Sequence, residues 1–303
     1  MSEQITLAIP LLVILIMTIV GTDLRFADFL RMRRYPVLVP TIVFGQWMLL
    51  VLVAGLVGWV LTLPPTIAGG AILFAAAPVA ALSGYYAKLA GGDLALAVTI
   101  AAFSNLLATL ITPIAASFGF WWFLGNEQAM ALPLLKVAQQ TLIGLLLPLL
   151  AGMLLRHHAA NWVERWRGPV QGVGLFAILV LLALVLADQF AVIRAQFRQL
   201  IGASLLLTLA MLTAGFLAVR LLSLSSKEGA ALVWSFPARN LAIATLTATS
   251  VMGQMTAAAF LAVLFTTQIS LLPPLALWLN CRNRRKHRAR PQANGQEATR
   301  IET

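Results

Sequence analysis

The stretch GAALVWSFPARNLAIATLTATSVMG, residues 229–253, has the length of a membrane-spanning helix and contains two features that interrupt its apolar helical pattern. Pro237 interrupts it near the middle, and Arg239 and Asn240 follow at once. Proline lacks a backbone N–H and clashes with the preceding helical turn. A charged side chain at mid-membrane costs roughly 3 kcal/mol on insertion scales. The stretch therefore predicts a broken membrane helix whose charge faces a cavity or a pathway instead of lipid.

A second apolar run, residues 67–87, is interrupted in the same way. Pro78 lies in its middle and is followed by the sequence VAALSG. The carbonyl groups freed at such a break need hydrogen-bond donors, which lipid does not offer. Two interrupted spans, one in each half of the chain, indicate a midplane binding site of the kind found in inverted-repeat transporters. The alternative is a simple proline kink in each span.

The composition indicates an all-α polytopic membrane protein. Of 303 residues, 60% are hydrophobic and 10% are charged, and the apolar runs are continuous over about 20 residues, as a spanning helix requires. We predict one transmembrane domain, residues 1–280, followed by a basic tail, residues 281–303. The nine predicted spans cover residues 5–21, 37–61, 67–87, 94–118, 131–155, 169–187, 200–222, 229–252 and 257–280.

The distribution of basic residues predicts the orientation. With nine alternating spans, 17 of the 21 Lys and Arg residues fall on one side, and only Lys136, Arg194 and Arg198 fall on the other. The positive-inside rule then predicts that the N-terminus lies outside and the C-terminus on the cytoplasmic side. The expected location is a bacterial inner membrane. The basic tail is interpreted as a topology anchor at the lipid bilayer, and nucleic acid is not expected as a partner. Seven tryptophans are expected mostly near span ends: Trp47, Trp59, Trp121, Trp122, Trp162, Trp166 and Trp278.

Several short motifs resemble the bile acid:sodium symporter family. They are the loop from Gly21-Thr22-Asp23-Leu24 to Pro36, Gln46, Pro78-Val79-Ala80 with Ser83-Gly84, the segment Leu89–Leu96, the helix from Ser104 to Thr112-Pro113, and Leu146–Gly152. The resemblance implies two inverted five-helix repeats, here without the first helix. It also implies a core of spans 2–4 and 7–9 that moves against a panel of spans 1, 5 and 6, with spans 3 and 8 as two broken crossing helices.

The chain departs from the sodium-coupled members at most of the sodium ligands that the resemblance implies. Ser235 stands where they have a glutamate, and Arg239 where they have a glutamine. Gly84, Ala97 and Ala101 replace three further polar side chains, whereas Gln46, Ser83 and Asn240 are retained. Loss of the carboxylate and gain of a guanidinium both oppose a cation in a low-dielectric site. We therefore expect no sodium at the family's two sites, and no other metal or cofactor.

The predicted function is secondary transport of a small or amphipathic organic anion, by proton coupling, exchange or facilitated diffusion. The expected site at the crossing comprises Gln46, Pro78, Ser83, Ser104, Asn105, Ser235, Pro237, Arg239 and Asn240, with Arg239 opposite Ser83. Arg239 could replace sodium as a tethered cation, bind the substrate anion, bond free backbone carbonyls or reach an interface. An arsenite-exporter-like transporter, which would have a cysteine at Val79, a non-transporting receptor or sensor, and an ion channel are the alternatives. Catalysis finds no support, because the sequence contains no recognisable nucleophile–base arrangement.

Overall fold

The computed structural model describes residues 3–124 and 134–289, and within these ranges the regular structure is helical, apart from one isolated backbone bridge. The first half comprises α1 (Glu3–Asp23), α2 (Phe26–Leu30), α3 (Leu38–Val60), α4 (Pro65–Ala76), α5 (Leu82–Leu89) and α6 (Leu94–Leu124). The second half comprises α7 (Leu134–Thr141), α8 (Leu147–His158), α9 (Ala160–Arg165), α10 (Arg167–Asp188), α11 (Phe190–Ala195), α12 (Phe197–Leu221), α13 (Ser226–Ser235), α14 (Leu241–Leu246) and α15 (Met255–Ala289).

Six helices in the described part are long and apolar enough to cross a membrane. They are α3, α6, the continuous helix from Leu134 to His158, α10, α12 and the part of α15 up to Arg282. Three shorter apolar helices, Ala8–Asp23, Pro65–Ala76 and Leu241–Val251, overlap the predicted spans 1, 3 and 8. The chain is thus a polytopic helical membrane protein, and the count of nine spans stays a prediction.

Both predicted interruptions are present. The helix α4 ends at Ala76 and α5 begins at Leu82, so Pro78 lies in the extended segment between them. In the same way α13 ends at Ser235 and α14 begins at Leu241, with Pro237 between them. Each break leaves about five residues outside the helical hydrogen-bond ladder, which is a larger interruption than a kink.

The two extended segments cross and pair with each other in antiparallel orientation. The backbone N–H of Ala80 donates to the carbonyl of Ala238 at 2.9 Å, and the N–H of Asn240 donates to the carbonyl of Pro78 at 2.8 Å. Val79 therefore lies opposite Arg239. The expectation that Ser83 would lie there is wrong, because the chain returns to helix at Leu82 and carries Ser83 into the first turn of α5.

A very close helix contact joins α1 to α8. A Cβ atom added to Gly152 would lie 2.1 Å from the carbonyl oxygen of Thr18, and one added to Gly21 would lie 2.2 Å from that of Leu149. Glycine at both positions lets the two backbones touch, as small residues do in membrane helix pairs. The pair forms one unit beside the crossing.

The last helix is longer than predicted, since α15 continues beyond residue 280 to Ala289 and makes the first part of the basic tail helical. Residues 290–303 lie outside the described part, as do residues 131–133 at the start of predicted span 5. Six of the seven tryptophans are between 47% and 75% exposed, but Trp47 is 1% exposed and does not match the interfacial expectation.

Candidate functional site

The backbone at the first break finds its hydrogen-bond partners in side chains of α6 and α3. The N–H of Val79 donates to Ser104 Oγ at 3.0 Å, and Asn105 Nδ2 donates to the carbonyl of Val79 at 2.9 Å. Trp47 Nε1 donates to the carbonyl of Ala76 at 2.9 Å, which explains why this indole is buried. Buried backbone polar groups need such partners where water is excluded. Ser104 and Asn105 thus serve first as substitutes for the missing helical bonds.

Arg239 is 2% exposed and lies at one end of a chain of buried hydrogen bonds. Its Nη1 donates to Gln46 Oε1 at 3.1 Å. Gln46 Nε2 donates to Ser235 Oγ, and this hydroxyl donates to the carbonyl of Leu232 at 2.7 Å. Because each donor in the chain faces an acceptor, the orientation of the Gln46 amide is determined. The guanidinium stays inside the protein, which argues against a side chain that reaches an interface.

The other edge of the guanidinium lacks protein partners. Arg239 Nε and Nη2 are buried and make no hydrogen bond within the described residues. The salt bridges found in that part of the chain connect Arg156 with Glu164, and Arg167 with Asp23 and Glu164, so Arg239 takes part in none. An unpaired buried charge is costly. The positive charge of Arg239 therefore has no counter-charge among the described residues, and the Nε/Nη2 edge is where a partner is missing.

Asn240 connects the second break to α1. Its Oδ1 accepts from the backbone N–H of Ile243 at 3.3 Å and so caps α14, while its Nδ2 donates to Met17 Sδ at 3.4 Å. Ser83 is 0% exposed in α5, and its hydroxyl has no partner among the described residues. Gln46, Ser235, Arg239 and Asn240 thus meet at the crossing, whereas Ser83 lies beside it.

The remaining positions of the implied sodium sites contain no side-chain oxygen. Gly84 lies in α5, where a Cβ would contact Leu94 at 3.4 Å. Ala97 and Ala101 are buried in α6, and the carbonyl of Ala101 already accepts from Asn105 Nδ2 at 2.8 Å. Across the described residues, no group of three His, Cys, Asp or Glu side chains is placed to hold a metal ion.

A mostly apolar cavity of about 90 Å³ opens between the crossing and the helices α1, α10 and α15. Its polar lining comes from Asn105, Arg239, Asn240, Tyr86 and Gln268. A second, wider space of about 370 Å³ shares Val20, Ala81 and Asn105 with it. Charged residues of that second space, Asp23, Lys88 and Arg167, lie towards the predicted cytoplasmic side. The two spaces are thus neighbours, and the second lies between the crossing and this side.

Sequence reasoning missed Gln268, Met17 and the buried role of Trp47. Gln268 offered a signal, since it is an amide in the middle of a mostly apolar span and directly follows two threonines. Met17 and Trp47 offered none, because their partners, the Asn240 amide and the Ala76 carbonyl, are distant in the sequence and meet them only in the folded chain.

Comparison with known proteins identifies the family. The Sodium Bile acid symporter family matches residues 10–196, which include the first break and end before the second. An uncharacterized sodium-dependent transporter of Bacillus subtilis (strain 168) is 28% identical over 174 residues, 57% of this chain and 51% of that protein. Sodium/bile acid cotransporter 7 of Xenopus tropicalis is 25% identical over 104 residues, 34% of this chain and 29% of that protein. The aligned part thus spans about half or less of these curated relatives. The chain belongs to the Sodium Bile acid symporter family.

Proposed function

We propose that this protein is a secondary transporter that moves an organic anion across a bacterial inner membrane without sodium at the family's usual sites. The observation that carries the proposal is the chain Arg239–Gln46–Ser235. Under this proposal, the fixed guanidinium takes the place of the mobile cation that the resemblance implies. A sodium ion there would meet repulsion from Arg239 and no carboxylate.

The proposed architecture is nine spans in two inverted repeats, with a core and a panel. The crossing of the two broken segments supports the core, and the tight pair of α1 and α8 supports the panel. The cavity lies where Met17 and Ile178, on α1 and α10, face the crossing. Movement of one body against the other would close this side and open the opposite one.

The size and chemistry of the cavity favour a small anion. The names of the relatives point to bile acids and sodium. Drug-sized ligands occupy pockets of roughly 300–1,000 Å³, whereas the cavity at the crossing measures about 90 Å³ in this conformation. None of the described residues that line it is Asp, Glu or His, which favours exchange or facilitated diffusion over proton coupling. The arsenite-exporter alternative loses support because Val79 contributes only backbone bonds and Cys281 lies far along α15.

The test is uptake of labelled organic acids by the purified protein in liposomes. A panel of small carboxylates is compared in sodium and in potassium buffers of equal ionic strength. We expect the same rate of counterflow in both, and the same melting temperature of the protein in both salts. Uptake that rises steeply with an inward sodium gradient would overturn the proposal.

A further inference from the structure

The unpaired edge of Arg239 has the geometry of a carboxylate-binding fork. Nε–H and one N–H of Nη2 point in the same direction, and a planar guanidinium presents such a pair to both oxygens of a carboxylate at once. In this protein Nη1 is used by Gln46, whereas Nε and Nη2 are buried without a partner. The Nη1 atom thus holds the side chain in place, and the Nε/Nη2 edge is available to a ligand.

Two further groups without partners line the same cavity. The Nε2 atom of Gln268, on α15, makes no hydrogen bond, although this side chain is only 4% exposed. The Oδ1 atom of Asn105 is also buried and unpaired. The orientation of the Asn105 amide is determined, because its Nδ2 donates to two carbonyls, those of Val79 and Ala101. The cavity therefore has donors on Arg239 and Gln268 and one acceptor on Asn105.

These groups together define the missing ligand. We propose that the Nε/Nη2 edge of Arg239 and the amide of Gln268 bind the carboxylate of a small organic acid, and that Asn105 Oδ1 accepts a hydrogen bond from a hydroxyl group of the same molecule. A carboxylate satisfies the donors and balances the buried charge, which an uncharged ligand cannot do. The role of this carboxylate site in transport rests on the proposed function. Binding of a carboxylate to the site can be measured without transport.

Binding to the purified protein is measured by calorimetry with lactate, propionate and propionamide. We expect lactate to bind more tightly than propionate, and propionamide not to bind measurably.

Arg239→Lys keeps a cation for Gln46 but loses the fork, and Gln268→Leu removes the second donor. Each should weaken lactate binding about tenfold or more, as loss of a hydrogen bond to a charged group does. Thr267→Val is the matched control on α15, because this hydroxyl bonds its own helix at Val263 and does not line the cavity. Its affinity should equal that of the wild type.

Gln268→Glu is the second variant, which decides the question if Arg239→Lys does not fold. It supplies a fixed carboxylate to the same cavity, so it should abolish lactate binding and raise the melting temperature. Wild-type affinity in Gln268→Leu and Gln268→Glu would refute the site and leave anion transport standing. Affinity that falls as expected, in a protein that moves no acid across liposomes, would instead support the site and refute the transport function.

Discussion

Gln46 is the side chain that holds the Arg239 guanidinium in position. Both ends of its amide are used, since the oxygen accepts from Arg239 and the nitrogen donates to Ser235. All three side chains are at most 2% exposed, so water cannot replace a lost partner. The hydrogen bond to Gln46 is the stabilising contact that the described residues give to the guanidinium.

Replacement of Gln46 by leucine should destabilise the protein strongly. It leaves a buried charged donor without its acceptor, and the loss of such a partner costs about 1–3 kcal/mol, or more when the donor is charged. The measurement is thermal unfolding in detergent. The double variant Gln46→Leu/Arg239→Met should recover most of the loss, because it removes both polar partners together. Equal stability of the wild type and Gln46→Leu would contradict this assignment.

At this scale the sequence indicated which residues are unusual but not which atoms they contact. Arg239 and Asn240 could be chosen because a polar group in a membrane span is conspicuous on its own. Val79, which lies opposite Arg239, is an ordinary apolar residue, and only the crossing of distant segments selects it. The partners are non-local, so a pattern along the chain could not identify them.

The broken helices depend on α6 as much as on each other. Ser104 and Asn105 donate to or accept from both backbone groups of Val79, and they replace the bonds that the proline break removes. The two breaks were predictable because proline acts locally. Ser104 and Asn105 satisfy the backbone groups that the first break frees. The sequence identified them only as polar residues of a neighbouring span.

A pair of serine variants tests this role of α6. Ser104 and Ser204 are both buried, at 1% and 0% exposure, but Ser104 Oγ accepts from Val79 whereas Ser204 Oγ has no partner. Ser104→Ala should lower the free energy of unfolding by about 1–3 kcal/mol, because a buried N–H loses its acceptor. Ser204→Ala should leave it almost unchanged or raise it slightly, because it removes a buried hydroxyl that has no partner and leaves no other group unsatisfied. Chemical denaturation of both purified variants compares them, and equal losses would argue that the bond to Val79 contributes nothing.

On the scale of the whole molecule, the cavity and its wider outer space share one side of the bundle. Lys88 and Arg167 both line the outer space, where Arg167 pairs with Asp23, and under the proposed function their positive charge would attract the substrate anion. The positive-inside rule predicts that this side faces the cytoplasm. With that orientation, the outer space is expected to be the cytoplasmic approach to the crossing.

Cys281 is a native reporter of this orientation. It is the single cysteine of the chain, it is exposed, and it lies at the end of the last membrane span. A membrane-impermeant maleimide should label it in inside-out vesicles and not in intact spheroplasts. Cys281→Ser provides the blank for both preparations. Labelling of intact spheroplasts alone would reverse the predicted topology and place the outer space outside the cell.

The pairing of the two breaks also constrains how the chain is made. Pro78 and Asn240, which share a backbone hydrogen bond, lie 162 positions apart in the sequence. At ribosomal speeds this interval lasts on the order of ten seconds. During that time α4 and α5 are already synthesised, and their break still lacks its final donor. The first broken helix can therefore reach its native form only after residue 240 has been translated, and a nascent chain that stalls before that point exposes an unfinished break to cellular quality control.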